Sequence, residues 1–172
     1  MIRWFGVIAR VVVGGVWLYA GALKLPHPET SVTAVRAYQL LPTGTAETVG
    51  HLLPMLEIVV GGCLVVGLLV RLSGGLSALM QAAFVVGIVS VWSRGIAIDC
   101  GCFGGGGADP DAISKYPWEI ARDSGLLALS LLLVWRPRTP LAVDNLLFPQ
   151  RVDERDPLQE PTRGTDDVEA RS

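Results

Sequence analysis

The sequence predicts an all-α integral membrane protein: a four-helix bundle with a short helix on its outer surface and a disordered C-terminal tail. Three observations predict it. Of 172 residues, 51% are hydrophobic and 17% charged, with a mean hydropathy of +0.47, whereas a soluble domain carries about a quarter charged residues. Apolar stretches of about 20 residues recur, the length a helix needs to cross hydrocarbon in which each backbone polar group must be satisfied internally. All five Trp, at 4, 17, 92, 118 and 135, fall near the ends of those stretches, where an apolar ring meets water.

The first span covers residues 4–22, with Arg10 as its one charge. Arg10 is expected to snorkel back to the headgroups. In the loop that follows, Val32, Val35 and Tyr38 recur every third residue before Leu40-Leu41-Pro42, which predicts a short helix lying on the outer surface. The second span, 52–70, carries only Glu57, and the third, 72–92, carries no charge. Pro54, Glu57 and Gly61 follow i, i+3, i+7 spacing and share a helix face, which should turn inward because an ionisable group in hydrocarbon is costly. Glu57 is therefore read either as a proton-handling or cofactor-facing carboxyl, or as the partner of an ion pair with Arg10 or Lys24. On the third span Gly74, Ala78 and Ala82 occupy every fourth position, a pattern that lets helices approach closely. The fourth span, 118–135, is free of charge only from Ser124 onward, so Arg122 and Asp123 at its head are expected to reach the interface.

Residues 1–136 are thus read as a transmembrane domain and 137–172 as a cytoplasmic tail. Seven of the sixteen acids lie from Asp153 onward, with little there to build a core, and such a composition favours disorder. Arg3, Arg71, Arg136 and Arg138 flank the spans closely, whereas Lys24, Arg36, Arg94 and Lys115 are spread through two longer loops. The positive-inside preference then puts both termini in the cytoplasm and the loop between the third and fourth spans outside a plasma (inner) membrane. A net charge of −2 offers no footprint for nucleic acid. The bilayer is the expected environment instead.

That outer loop contains Asp99-Cys100-Gly101-Cys102-Phe103-Gly104. Outside the cytoplasm thiols persist as disulfides, and Gly101 permits the bend that would bring two cysteines this close in sequence within bonding range. A bond closing so small a ring restricts the unfolded chain little and is readily exchanged. Cys100 and Cys102 are therefore read first as a redox pair. A soft-metal site and a structural loop are the other readings. Two thiolates fall short of the four ligands of a closed zinc site, even with His27 and His51 in the other outer loop, so no metal is assigned. The run Gly104 to Gly107 is read as a mobile arm or a plain linker. Cys63, deep in the second span, is read as a small packing residue beside Gly61 and Gly62.

Several of these segments together resemble the MauE and DoxX-like family of small four-helix membrane proteins, and more closely its methylamine-utilisation MauE branch. They are Ala22-Leu23-Lys24-Leu25, Tyr38-Gln39-Leu40-Leu41-Pro42, Pro54 through Glu57 to Gly61, Asp99-Cys100-Gly101-Cys102-Phe103-Gly104, and Arg122-Asp123. Cys-Gly-Cys-Phe-Gly is the most specific of them. The resemblance covers roughly residues 3 to 136 and implies thiol redox chemistry beside a thioredoxin-like extracytoplasmic partner. In methylamine utilisation it implies disulfide maturation of the small subunit of methylamine dehydrogenase. The expected function is thiol-disulfide exchange through Cys100 and Cys102, as a thiol-disulfide oxidoreductase. A quinone near Glu57 is a candidate electron acceptor, by analogy with other four-helix membrane thiol oxidases. The alternative is a non-catalytic membrane anchor or assembly subunit of a redox complex.

Overall fold

The computed structural model describes residues 2–135. The chain folds into helices α1 (Ile2–Lys24), α2 (Pro28–Ala37), α3 (Thr43–Val66), α4 (Val70–Ser93) and α5 (Ala112–Trp135), with strands β1 (Ile98–Asp99) and β2 (Gly107–Ala108) between α4 and α5. Three of the helices are long and apolar enough to cross a membrane, over Phe5–Lys24, Thr43–Val66 and Val70–Ser93. The α5 helix matches α4 in length, but Lys115, Glu119, Arg122 and Asp123 occupy its first half. The expected tail, 137–172, lies outside the described residues, as do Arg136 and Arg138.

The four long helices form a closed ring in which α1 packs on α3, α3 on α4, α4 on α5 and α5 on α1, while α2 lies across α3. Small residues set the spacing. A Cβ on Gly14 would meet the Gly61 carbonyl oxygen at 2.9 Å, and one on Gly61 would meet that of Gly14 at 2.8 Å, so α1 and α3 touch backbone to backbone. Gly74 likewise packs against Ser130 and Leu133 of α5. Val13, Trp17, Val60, Leu64, Met80, Leu126 and Leu133 fill the middle. The opposite faces expose Ile8, Met55, Val59, Leu72, Leu79 and Val86, an apolar exterior suited to lipid.

Several boundaries and placements differ from expectation. The helix of the expected second span, α3, begins at Thr43 rather than residue 52 and ends at Val66, because Gly67 takes a left-handed conformation (φ 79°) and its N–H caps Cys63 O. Arg71 therefore lies in the first turn of α4 instead of in a connecting turn. Trp17 is not interfacial: it is 2% exposed and donates from Nε1 to Ser77 Oγ at 2.7 Å. Ser77 Oγ contacts Ser130 Oγ at 2.9 Å, and Ser130 donates to Leu126 O, so hydrogen bonds tie α1, α4 and α5 together inside the bundle. Trp92, Trp118 and Trp135 are exposed as expected; the Trp4 side chain is outside the described residues. Arg10 does not snorkel outward but is 3% exposed within the bundle.

Candidate thiol site at one end of the bundle

The end of α1, the helix α2, the start of α3, the end of α4, the β1–β2 ribbon and the start of α5 gather at one end of the bundle. After α4, Gly95 turns left-handed (φ 68°) and the N–H of Ile96 bonds Val91 O, which stops the helix. The chain then pairs Ile98 with Ala108 and Asp99 with Gly107. Hydropathy gave no sign of this ribbon, because each of its strands is only two residues long. Tyr116 of α5 holds its near strand: the Oη accepts the Ile98 N–H at 2.9 Å and lies 2.9 Å from Ile96 O and 3.0 Å from Ile98 O.

Within the ribbon Asp99 Oδ1 accepts the Gly101 N–H at 2.8 Å, and Gly101 is left-handed (φ 69°). Any Cβ at 101 would also collide with Ala34 of α2. Gly105 and Gly106 fit as closely against the Asp99 carboxyl and against the Thr30 carbonyl and Ala34. The glycine run is thus a packing surface that seats the loop on α2, not a mobile arm.

The bend brings the two thiols together. The N–H of Cys102 donates to Cys100 Sγ at 3.4 Å, and Cys102 Sγ lies 4.0 Å from both Cys100 O and Asp123 Oδ2. Both cysteines are 7% exposed. Tyr38 Oη donates to Cys100 O at 2.9 Å, and burial pushes its pKa far up, so it stays a donor. The Cys102 thiol is held well above the usual cysteine range, first by its hydrogen bond to Cys100, then by burial and by repulsion from Cys100 and Asp123, with Arg122 opposing.

Two carboxyls of α5 face this pair. Asp123 is 3% exposed; its Oδ1 accepts Arg122 Nε–H at 2.9 Å while Oδ2 faces Cys102. The Arg122 guanidinium lies 4.7 Å from the Phe103 ring centroid. Arg122 and Asp123 therefore pair with each other as part of the thiol site, where the sequence suggested only interface residues. Glu119, one turn earlier on the same helix, lies against the Cys100 thiol and escaped the sequence reading. The i, i+4 spacing of Glu119 and Asp123 was the signal that would have found it. A cavity of about 20 Å³ bounded by Cys102, Arg122, Asp123, Gln81 and Phe84 has room for about one water.

Glu57 is not part of this cluster. It is fully buried and paired with Lys24 at 2.5 Å, which decides which of the two expected cations it meets. Lys24 Nζ also lies 5.9 Å from the Phe84 ring centroid, and Phe84 in turn lines the Cys102 cavity. Cys63 is half-buried in α3, away from the thiols. His27 precedes α2 and His51 bonds Glu47 O on α3; among the described residues no three His, Cys, Asp or Glu converge as a metal-binding group. A second cavity, of about 290 Å³, opens between α2, α3 and α4 and is lined by Tyr38, Leu40, Val49, Leu53, Met80 and Phe84.

The family model described as Methylamine utilisation protein MauE matches residues 2–136 of this chain. No curated protein and no solved structure gives a significant match.

Proposed function

Because the chain belongs to the MauE family, we propose that it is a membrane thiol-disulfide exchange protein in which Cys100 and Cys102 alternate between dithiol and disulfide. The observation that carries this reading is the left-handed Gly101, which sets the Cys102 N–H 3.4 Å from Cys100 Sγ beside carboxyls of α5. A structural staple has no use for proton acceptors beside both sulfurs. Exchange does, because only the thiolate attacks. One thiolate attacks a sulfur of the partner's disulfide, the partner's S–S bond breaks and the freed sulfur takes a proton. The second thiolate then attacks the mixed disulfide, closing Cys100–Cys102 and releasing the partner as a dithiol. Two electrons and two protons pass to the partner; the reverse sequence oxidises a partner dithiol.

The partner in this reading is an extracytoplasmic, thioredoxin-like or disulfide-bearing protein. The membrane is the plasma membrane, crossed by α5 as well as by α1, α3 and α4, with the termini cytoplasmic. For a quinone, the fit is to the apolar cavity rather than to Glu57. That cavity has the bulk for an apolar ring, with Tyr38 as its one hydroxyl among the residues named, whereas Glu57 is sealed behind Lys24. Glu57 then handles no proton of the exchange and instead pins α1 to α3.

The experiment is trapping. In a Cys63→Ser background, replacing Cys100 or Cys102 singly with Ser should leave one variant that accumulates a mixed disulfide with its partner on non-reducing gels. Retained exchange in both single variants would remove the proposal. Burial of both sulfurs favours the second reading, a non-catalytic anchor whose loop is merely held shut. That reading requires partner binding to survive replacement of both cysteines.

A further inference from the structure

Exchange requires two protons to leave the loop and one sulfur to act before the other. We infer that Cys100 is the attacking sulfur with Glu119 as its proton acceptor, and that Cys102 is the resolving sulfur with Asp123 as its acceptor. This rests on the exchange reading and adds to it an order and two residues.

The geometry around the sulfurs is unequal. Cys100 Sγ receives a backbone N–H, that of Cys102, and a donated N–H favours a sulfur anion. Cys102 Sγ stands instead as a donor, its two neighbours at 4.0 Å being the Cys100 carbonyl and Asp123 Oδ2. A thiol oriented toward acceptors keeps its proton until one of them takes it. On α5 the acceptors are separated by one turn, Glu119 against Cys100 and Asp123 against Cys102.

Arg122 keeps the acceptors distinct. Its Nε engages Asp123 Oδ1, leaving Oδ2 for the thiol, and its guanidinium stacks on Phe103, the residue that follows Cys102. Two of the buried atoms without hydrogen-bond partners lie on this stretch of α5, Glu119 Oε2 and Arg122 Nη2. Unused capacity of this kind in a native site calls for a reason, and a carboxyl that must take up a proton in turnover supplies one for Glu119. The remaining titratable groups around the sulfurs are Tyr38 at the end of α2, Asp99 from β1 and Tyr116 from α5.

The order follows through both steps. Cys100 gives its proton to Glu119 and attacks the partner's disulfide, whose bond breaks with release of one sulfur. Cys100, now in the mixed disulfide, carries no negative charge and no longer repels one forming on Cys102. Since that repulsion is among the causes of Cys102's reluctance to ionise, Cys102 loses its proton more readily at the stage when it must attack. Asp123 takes that proton as the Cys100–Cys102 bond forms and the Cys100–partner bond breaks. The protons held by Glu119 and Asp123 then balance those taken up by the partner's two released sulfurs.

The test uses the full chain in detergent, with Cys63→Ser, reduced and mixed with 5,5′-dithiobis(2-nitrobenzoate). Each transferred sulfur releases one coloured thiolate, so attack and resolution appear as two phases. Cys102→Ser should stop after one equivalent as a stable adduct, and Cys100→Ser should react about a hundredfold more slowly, at the lower end of what a positioned base contributes. Glu119→Gln should slow the first phase about a hundredfold and shift its pH profile upward while sparing the second; Asp123→Asn should do the reverse. Glu119→Asp and Asp123→Glu keep a carboxyl and should restore the affected phase. Faster attack in Cys100→Ser than in Cys102→Ser overturns the order, and equal slowing of both phases by either amide variant overturns the division. So does failure of the carboxyl variants to restore. Absence of a second equivalent in the parent would instead defeat the exchange reading itself.

Discussion

At the scale of single residues, the site depends on which protons are held and which are free to leave. Cys102 is raised by its hydrogen bond to Cys100 first and by burial second. Its alkylation rate should therefore go on rising at pH values well above about 8.5, the ordinary cysteine pKa, where an unperturbed thiol has already levelled off. Cys100→Ala removes the leading cause, and the inflection measured with iodoacetamide should move down. An unmoved inflection would show burial to be the larger effect. Glu57 poses the opposite case, a charge kept deep in the bundle by Lys24 alone. Glu57→Gln leaves Lys24 buried without its counter-charge and should cost about 3 kcal/mol in detergent unfolding. Replacing both, by Lys24→Met with Glu57→Leu, should recover much of that loss. A pair needed for proton transfer would instead show exchange lost in the stable double variant.

At the scale of elements, glycine decides how closely helices approach. Gly61 and Gly62 are neighbours in sequence, yet a Cβ at 61 meets the α1 backbone while one at 62 meets nothing within 4 Å. Gly61→Val should thus lower stability by about 1–3 kcal/mol through overpacking, whereas Gly62→Ala should be neutral or slightly stabilising, by up to about 1 kcal/mol. Thermal unfolding in detergent separates the two. The i, i+3, i+7 face of Pro54, Glu57 and Gly61 was legible because helical periodicity alone puts those residues on one side, and all three are buried. The start of α3 at Thr43 was not legible, since Thr43 to His51 is polar enough to read as loop. Its helicity comes from packing of α2 on α3, where a Cβ at Gly50 would strike the Val32 backbone. Tertiary contact overrides local polarity there.

At the scale of the whole molecule, hydropathy sufficed for the apolar helices because lipid imposes one rule along the chain. The thiol site obeys a different rule. Cys100 and Cys102 announce themselves by spacing, but Glu119 and Asp123 reach them only because α5 closes the ring onto α1 and α4, a long-range event no local window contains. The ring also decides orientation as a unit: the thiol loop, α2 and the start of α3 share one end, and the Gly67–Leu69 turn occupies the other. One labelling pattern must therefore hold for every site at a given end. With Cys63→Ser, a membrane-impermeant maleimide added to intact cells should label Cys100 and Cys102 only after mild reduction. A cysteine placed at the exposed Leu69 should label only once the cells are opened. Both cysteines are 7% exposed, so slow labelling in cells must be compared with the rate in detergent before it is read as topology. If the rates match in detergent but the thiols stay silent in reduced intact cells, the loop faces the cytoplasm. Its chemistry would then have to run against a reducing pool, where a dithiol poised to form a disulfide has little to exchange with.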